Sequence, residues 1–164
     1  MKMVPLKEGV DLKMQIICDT REQYPFTFKQ FDCTVTLGTL HEGDYTVALP
    51  QPDGSIAPIP NGITIERKSL SDLMGCLTQG RERFEAELSR MKPYESCAVV
   101  VEEPFSMLMQ GRYRSEMKPY AAVQSILSMT QKYRVPFLWG ETRRQAEFIA
   151  FHLLRHFYKH HGGK

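Results

Sequence analysis

No stretch of the chain approaches the roughly 18 consecutive apolar residues that span a bilayer, and the opening MKMVPLKEGV lacks the apolar segment of a secretory signal. A cytoplasmic protein with no membrane contact is the expectation. Cysteine is scarce: Cys18, Cys33, Cys76 and Cys97 lie far apart, with no CxxC pair and no histidine at zinc-ligand spacing to complete a site. Buried reduced thiols are the plain reading. The sequence has no internal repeat and no low-complexity tract apart from the proline- and glycine-rich run from Pro50 to Gly62.

What is present fits an ordinary folded domain. Apolar residues make up 42% and charged residues 24% of 164 residues, which excludes disordered, collagen-like and coiled-coil chains and predicts one domain with its own core. The net charge of +2 conceals an asymmetry: residues 112–164 carry ten Lys or Arg against three Asp or Glu, while residues 1–111 carry eleven against sixteen. A basic third beside an acidic remainder suits a phosphate-tracking surface next to a cation site, and equally suits solvated helix faces.

The pattern predicts strands over MQIICDT from Met14, CTVTLGTL from Cys33, GDYTVAL from Gly43 and ITIERKS from Ile63, joined as a meander. A helix is expected from Ser69, where Ser69 and Asp72 have capping-box spacing; Gly80 interrupts it and Pro93 closes it. CAVVVEE and VPFLWG read as buried strands. Helices are expected over Pro119 to Tyr133 and after the Thr142 and Gln145 capping box, the last with an apolar stripe of Ala146, Ile149, Ala150, Leu153, Leu154 and Phe157. Phe148 and Phe151 fall off that stripe and are expected to be exposed. Strands followed by alternating strands and helices predict an α/β domain with a mixed central sheet flanked by helices.

The acids and one lysine sit at strand ends: Asp19 and Glu22, Asp44, then Glu66, Arg67 and Lys68. Alternation along a strand places Glu66 and Lys68 on one face and Arg67 on the other. If the Asp44 and Glu66 strands pair as a wide hairpin, two carboxylates meet beside an ammonium. Such an oxygen-only site suits magnesium or manganese, which polarises a phosphoryl oxygen and activates water. A surface ion pair between Glu66 and Lys68 is the alternative.

In order, CDTRE, GDY, TIERKSLSDL, QGRERFEAEL and VVVEE resemble the nuclease domain of the XPF family of structure-specific endonucleases. Gly43-Asp44 followed by Glu66-Arg67-Lys68 and Asp72 is similar to that family's GD and ERKxxxD signature; Asp19, Arg21 and Glu22 match its DxRE element, and Gly80-Arg81 its Gly-Arg element. The resemblance implies a single-domain restriction-endonuclease-like fold of the PD-(D/E)xK class and Mg2+- or Mn2+-dependent cleavage of branched or flap DNA in repair or recombination. It implies Asp44 and Glu66 as metal ligands with Asp19 assisting, Lys68 as the catalytic lysine, and Glu22 and Arg67 as further active-site residues. Residues 1–13 are then expected as an arm, 14–160 as the nuclease domain and 161–164 as a tail. The chain has no room for the helix-hairpin-helix or helicase modules that family members commonly carry, and twenty-one residues separate Asp44 from Glu66.

For DNA contact the candidates are Arg21, Arg81, Arg112 and Arg114, the last two interleaved with Tyr113 in a loop. Arg81 and Arg83 have helix-surface pairing with Glu85 and Glu87 as the alternative. Arg143 and Arg144, cations in the first turn of a helix, oppose its dipole and point to a ligand phosphate. His152, His156, His160 and His161 read as a solvated helix flank, with a metal pair at His152 and His156 as the lesser reading. The family resemblance implies a homodimer through the last two helices. A nuclease of the same fold with exonuclease or single-strand specificity, and a non-catalytic DNA-binding or dimerising module, are the rival functions.

Overall fold

The computed structural model describes residues 13–163. The arm expected over 1–13 lies, but for its last residue, outside the described residues, as does Lys164. In chain order the elements are β1 (Met14–Asp19), β2 (Cys33–Gly38), β3 (Tyr45–Pro50), β4 (Ile56–Pro58), β5 (Ile63–Lys68), α1 (Leu70–Leu77), α2 (Arg81–Met91), β6 (Ser96–Val101), α3 (Phe105–Met109), α4 (Pro119–Tyr133), β7 (Phe137–Trp139) and α5 (Arg143–His160).

The strands form one mixed sheet in the order β2-β1-β3-β5-β6-β7, with β4 beside β3. The helices divide between its faces. α5 covers one, burying Ala146, Ala150, Leu154 and Phe157 against Ile16, Val47, Ile63, Ile65 and Val100. α1 to α4 cover the other, packing Leu73, Phe84, Leu88, Ile126 and Met129 against Val99 and Val101. The division of Val99, Val100 and Val101 between the two cores is what a continuous apolar run on a central strand requires.

Local signals fix the helix boundaries. Ser69 Oγ accepts from the Asp72 N–H at 3.0 Å, and Thr142 Oγ1 from the Gln145 N–H at 3.2 Å. Each relieves an unpaired amide in a first helical turn, which stabilises a helix by about 1 kcal/mol. The turn at Thr78 to Gly80 divides α1 from α2 at the glycine that breaks the apolar pattern.

Four expectations are corrected. The meander is absent: β2 runs parallel to β1, and β3 pairs antiparallel with the other side of β1. The cause is the β1–β2 connection, whose Phe26 and Phe28 pack against Tyr45 and carry the chain back over the α5 face. Phe151 is buried at 5% exposure, stacked on Phe31 with ring centroids 4.0 Å apart, while Phe148 is exposed. β7 is a half-buried edge strand because only β6 pairs with it. Of the four free cysteines, only Cys18 is buried; the others are half-buried. β4 lies in the proline- and glycine-rich run and α3 follows β6; the sequence pattern signals neither.

Candidate active site

The site forms where β1, β3 and β5 end or begin together. β3 pairs antiparallel with β5 through Tyr45 and Ile65, so the residue before β3 lies against the end of β5. Gly43 makes that approach possible. Its φ is +74°, and a Cβ there would stand 2.1 Å from Thr64 Oγ1 and 3.0 Å from the Ile65 carbonyl oxygen. Only glycine accepts both the left-handed backbone and the contact. Asp44 is then tied to β5 twice: its N–H donates to the Ile65 carbonyl at 2.7 Å, and its Oδ2 accepts from the Arg67 N–H at 2.7 Å.

Asp44, Glu66 and Lys68 line one cavity of about 350 Å³, with Asp19 and Arg21 from the end of β1 and Arg83 and Glu87 from α2. Lys68 Nζ donates to Glu66 Oε1, and the ammonium sits 5.6 Å from the centroid of the Phe84 ring. Burial pushes the Asp44 carboxyl up to about 7; the Arg67 N–H opposes this, Glu22 adds to it, and Lys68 opposes it. Burial likewise holds Glu66 well above the usual carboxylate range, with Asp44 adding to the effect and Lys68 resisting it. Burial alone would lower Lys68, but Glu66 and Glu87 outweigh it and keep the amine protonated.

Asp19 is placed in the cavity wall but is already engaged. Its Oδ1 accepts from the Arg21 N–H at 2.9 Å and Nε at 2.7 Å, and its Oδ2 from Arg21 Nη2 at 3.1 Å and the Leu40 N–H at 2.7 Å. Four donors fill the roughly four acceptor positions of a carboxylate. Burial would raise its pKa, yet these bonds leave Asp19 below its ordinary value.

Glu22 and Arg67 lie on the opposite face. The Arg67 guanidinium donates to both Glu22 oxygens, at 2.8 and 2.9 Å, and to Glu102 Oε1 at 3.0 Å. Arg143 completes the network, reaching Glu102 and, through Nη2, the carbonyls of Tyr24 at 2.7 Å and Pro25 at 3.0 Å. The cation that opposes the α5 dipole is thus held by protein acceptors.

The other cations divide in the same way. Arg81 turns away from the cavity to Glu85 at 3.0 Å and Ser125 at 2.9 Å. Arg112 and Arg114 lie on an exposed loop outside the cavity's lining, Arg114 beside Gly75 and Thr78 of the α1 end. Arg83 and Glu87 were missed as cavity residues. Their signal is helical spacing: each stands one residue ahead of a buried position, Phe84 or Leu88, so both border the apolar stripe of α2.

Among the described residues, no group of three His, Cys, Asp or Glu side chains is spaced to hold a metal ion. The donor chemistry that does converge is the buried Glu66 carboxylate beside the half-buried Asp44 carboxylate, which raises the pKa of Glu66. Such a pair fits a hard divalent cation, since magnesium takes one or two carboxylates and completes its shell with water and substrate phosphate.

The ERCC4 domain family model matches residues 18–151. Among solved structures, XPF from Aeropyrum pernix is similar at 21% identity with a TM-score of 0.64, over 86% of this chain and 63% of that one. XPF from Aeropyrum pernix in complex with DNA is similar at 21% identity with a TM-score of 0.65, over 88% of this chain and 65% of that one. The likeness is one of fold, and the chain spans slightly under two thirds of the length of either structure. No curated protein matches it in sequence. Among the described residues no helix is long and apolar enough to cross a membrane.

Proposed function

The chain belongs to the ERCC4 domain family and carries an XPF-type nuclease domain, and from that premise we propose that it is a metal-dependent endonuclease cutting DNA near branch or flap junctions. The observation that carries this reading is the seating of Gly43 against β5, which brings the Asp44 carboxylate to the strand end occupied by Glu66 and Lys68. Asp44 and Glu66 would hold Mg2+ or Mn2+, which when bound would supply Lewis-acid polarisation of the phosphodiester and a nucleophilic water. Asp19, its acceptor positions filled by Arg21 and Leu40, positions the wall of the site and enters a metal's shell only if Arg21 moves.

Lys68, held protonated, donates to a non-bridging phosphate oxygen and stabilises the charge that grows there in the transition state. Water attacks phosphorus and gives up a proton to solvent, the bond to the 3′ oxygen breaks, and that oxygen takes up a proton from solvent, leaving a 5′ phosphate and a 3′ hydroxyl. Arg67 positions Asp44 through its backbone N–H. Arg83, exposed at the cavity and paired with no described residue, meets a flanking phosphate. We further propose that residues 14–160 act in the cytoplasm as a homodimer. Tyr120 and Leu127 of α4 and Phe148 of α5 are exposed, and they are the apolar side chains that an interface through these two helices would cover.

A non-catalytic DNA-binding role is the second reading. It is favoured by the closed Glu66–Lys68 contact and the saturated Asp19. Cleavage of a labelled flap and its matched duplex, with Mg2+, Mn2+ or chelator, separates the two when wild type is run beside Lys68→Ala and Asp44→Ala. Metal-dependent cutting that favours the flap is expected, with both variants binding DNA but losing at least about a hundredfold in rate. DNA bound and never cut by the wild type would establish the binding module instead.

A further inference from the structure

A second cavity opens at the same strand end on the other face of the sheet. It holds about 560 Å³ and is lined by Tyr24, Pro25, Arg67, Ser69, Asp72 and Arg143, together with Glu102. That volume lies within the roughly 300 to 1,000 Å³ of sites that take small organic groups. Because consecutive strand residues point to opposite faces, Lys68 addresses the carboxylate cavity while Arg67 floors this one. The two cavities are therefore separated by a single strand at adjacent residues.

The groups presented here differ from those of a phosphate site. The guanidinium of Arg67 is held by Glu22 and Glu102, and that of Arg143 by Glu102 and two backbone carbonyls. Their charge is already balanced. The Asp72 carboxylate is exposed and accepts from no described residue, and the Ser69 hydroxyl accepts from the Asp72 N–H but keeps its own proton to donate. An unpaired carboxylate repels phosphate and accepts well from the exocyclic amino group of a base.

Tyr24 stands at the mouth with 68% of its surface exposed. Its backbone is nevertheless fixed on both sides: the N–H donates to Glu22 Oε1 at 2.7 Å, and the carbonyl accepts from Arg143 Nη2 at 2.7 Å. A ring that is exposed on a pinned backbone offers a preorganised stacking face, the feature by which proteins hold bases of single-stranded nucleic acid. We propose that this cavity is a subsite for one unpaired nucleobase beside the scissile phosphate, stacked on Tyr24 and read by Asp72. The proposal rests on the DNA-cleavage reading above. A base inside a duplex is paired and stacked on both sides and does not enter, whereas one at a fork does, so the domain recognises a branch point with its own residues.

The test uses the full chain with Ca2+ in place of Mg2+ and a fork carrying 2-aminopurine at its first unpaired position, beside the matched duplex. Wild type and Tyr24→Trp are expected to quench the 2-aminopurine. Tyr24→Ala is expected to lose the quench and to lower the fork-over-duplex binding ratio by about 5- to 100-fold. Asp72→Ala is expected to erase a preference for cytosine or adenine over thymine at that position. Thermal melts verify that Tyr24→Ala folds as wild type does. Fork binding by wild type with an unchanged ratio and quench in Tyr24→Ala would overturn the subsite and leave the nuclease reading standing. Failure of the wild type to bind either DNA would overturn both.

Discussion

The backbone N–H of Arg67 donates to Asp44 Oδ2 at 2.7 Å while the Arg67 guanidinium bridges Glu22 and Glu102 on the opposite face of the sheet. One residue therefore fixes a carboxylate of the candidate active site with its main chain and closes a buried ionic network with its side chain. The side chains of Arg67, Glu22 and Glu102 are 6%, 4% and 12% exposed, so neither carboxylate is rescued by water if the cation is lost.

Arg67→Met is accordingly expected to cost about 3 to 5 kcal/mol, the usual penalty for a buried charge left without its partner. The double variant Arg67→Met, Glu22→Gln should recover much of the loss, because it removes the stranded charge. Urea unfolding of the four members of the cycle measures both. A loss under about 1 kcal/mol in the single variant would show that the network is solvated.

Asp44 supplies a pH signature. Its pKa rises on folding from 3.8 to about 7. The folded state thus binds the proton more tightly, so its contribution to stability is fully present below pH 3.8 and is lost as pH rises through 7. In the presence of chelator, Asp44→Asn should be more stable than wild type at pH 8, by an amount on the order of 2 to 4 kcal/mol, and should approach it near pH 4. Adding Mg2+ at pH 8 should raise the wild-type transition and leave that of Asp44→Asn unmoved. Calorimetry that finds equal shifts in both would place the cation elsewhere.

Arg81 and Arg83 are two residues apart on α2 and should behave oppositely. Arg83→Ala is expected to weaken binding to every DNA alike and to lower the salt slope by about one, as loss of one phosphate contact does. Arg81→Ala removes bonds to Glu85 and Ser125 and should lower the melting temperature without changing that slope. Anisotropy titrations across salt concentrations separate them.

Glu85 gathers three partners across α2 and α4. The Tyr133 hydroxyl bond, then the Lys132 and Arg81 bonds, draw its pKa from 4.5 to about 2. A depressed carboxylate stabilises the fold above its unfolded value of 4.5 and loses that contribution as pH falls through 2. Glu85→Gln should therefore flatten the decline in stability across this window, by an amount on the order of 1 kcal/mol after screening at a part-exposed position. A decline as steep as that of wild type would assign it to other carboxylates.

Much of the fold is legible in the sequence because its signals are local. The helix starts at Ser69 and Thr142 rest on bonds spanning three residues, and the burial of β6 on both faces follows from an unbroken apolar run. What escapes reading depends on partners distant in the chain. The parallel register of β2 comes from the aromatic packing of the preceding loop, and Phe151 is buried because Phe31 covers it. At the site, strand alternation separates Arg67 from Lys68, but nothing near Asp19 indicates that the Leu40 N–H, twenty-one residues away, occupies one of its acceptor positions. Glu87 and Arg83 join the cavity only through the packing of α2 against the sheet.

β2 ends the sheet with Thr34, Val35, Thr36 and Leu37 all exposed, and nothing among the described residues pairs with its outer edge. The strand carries no lysine, proline or other charge to blunt that edge. Its amides and carbonyls are an open template, and the threonine, valine and leucine side chains favour addition of another extended chain. Colloidal behaviour of the concentrated protein is thus set at a margin of the sheet that β1 separates from β3. A single Thr36→Lys exchange should delay the onset of turbidity while leaving the interior of the domain untouched.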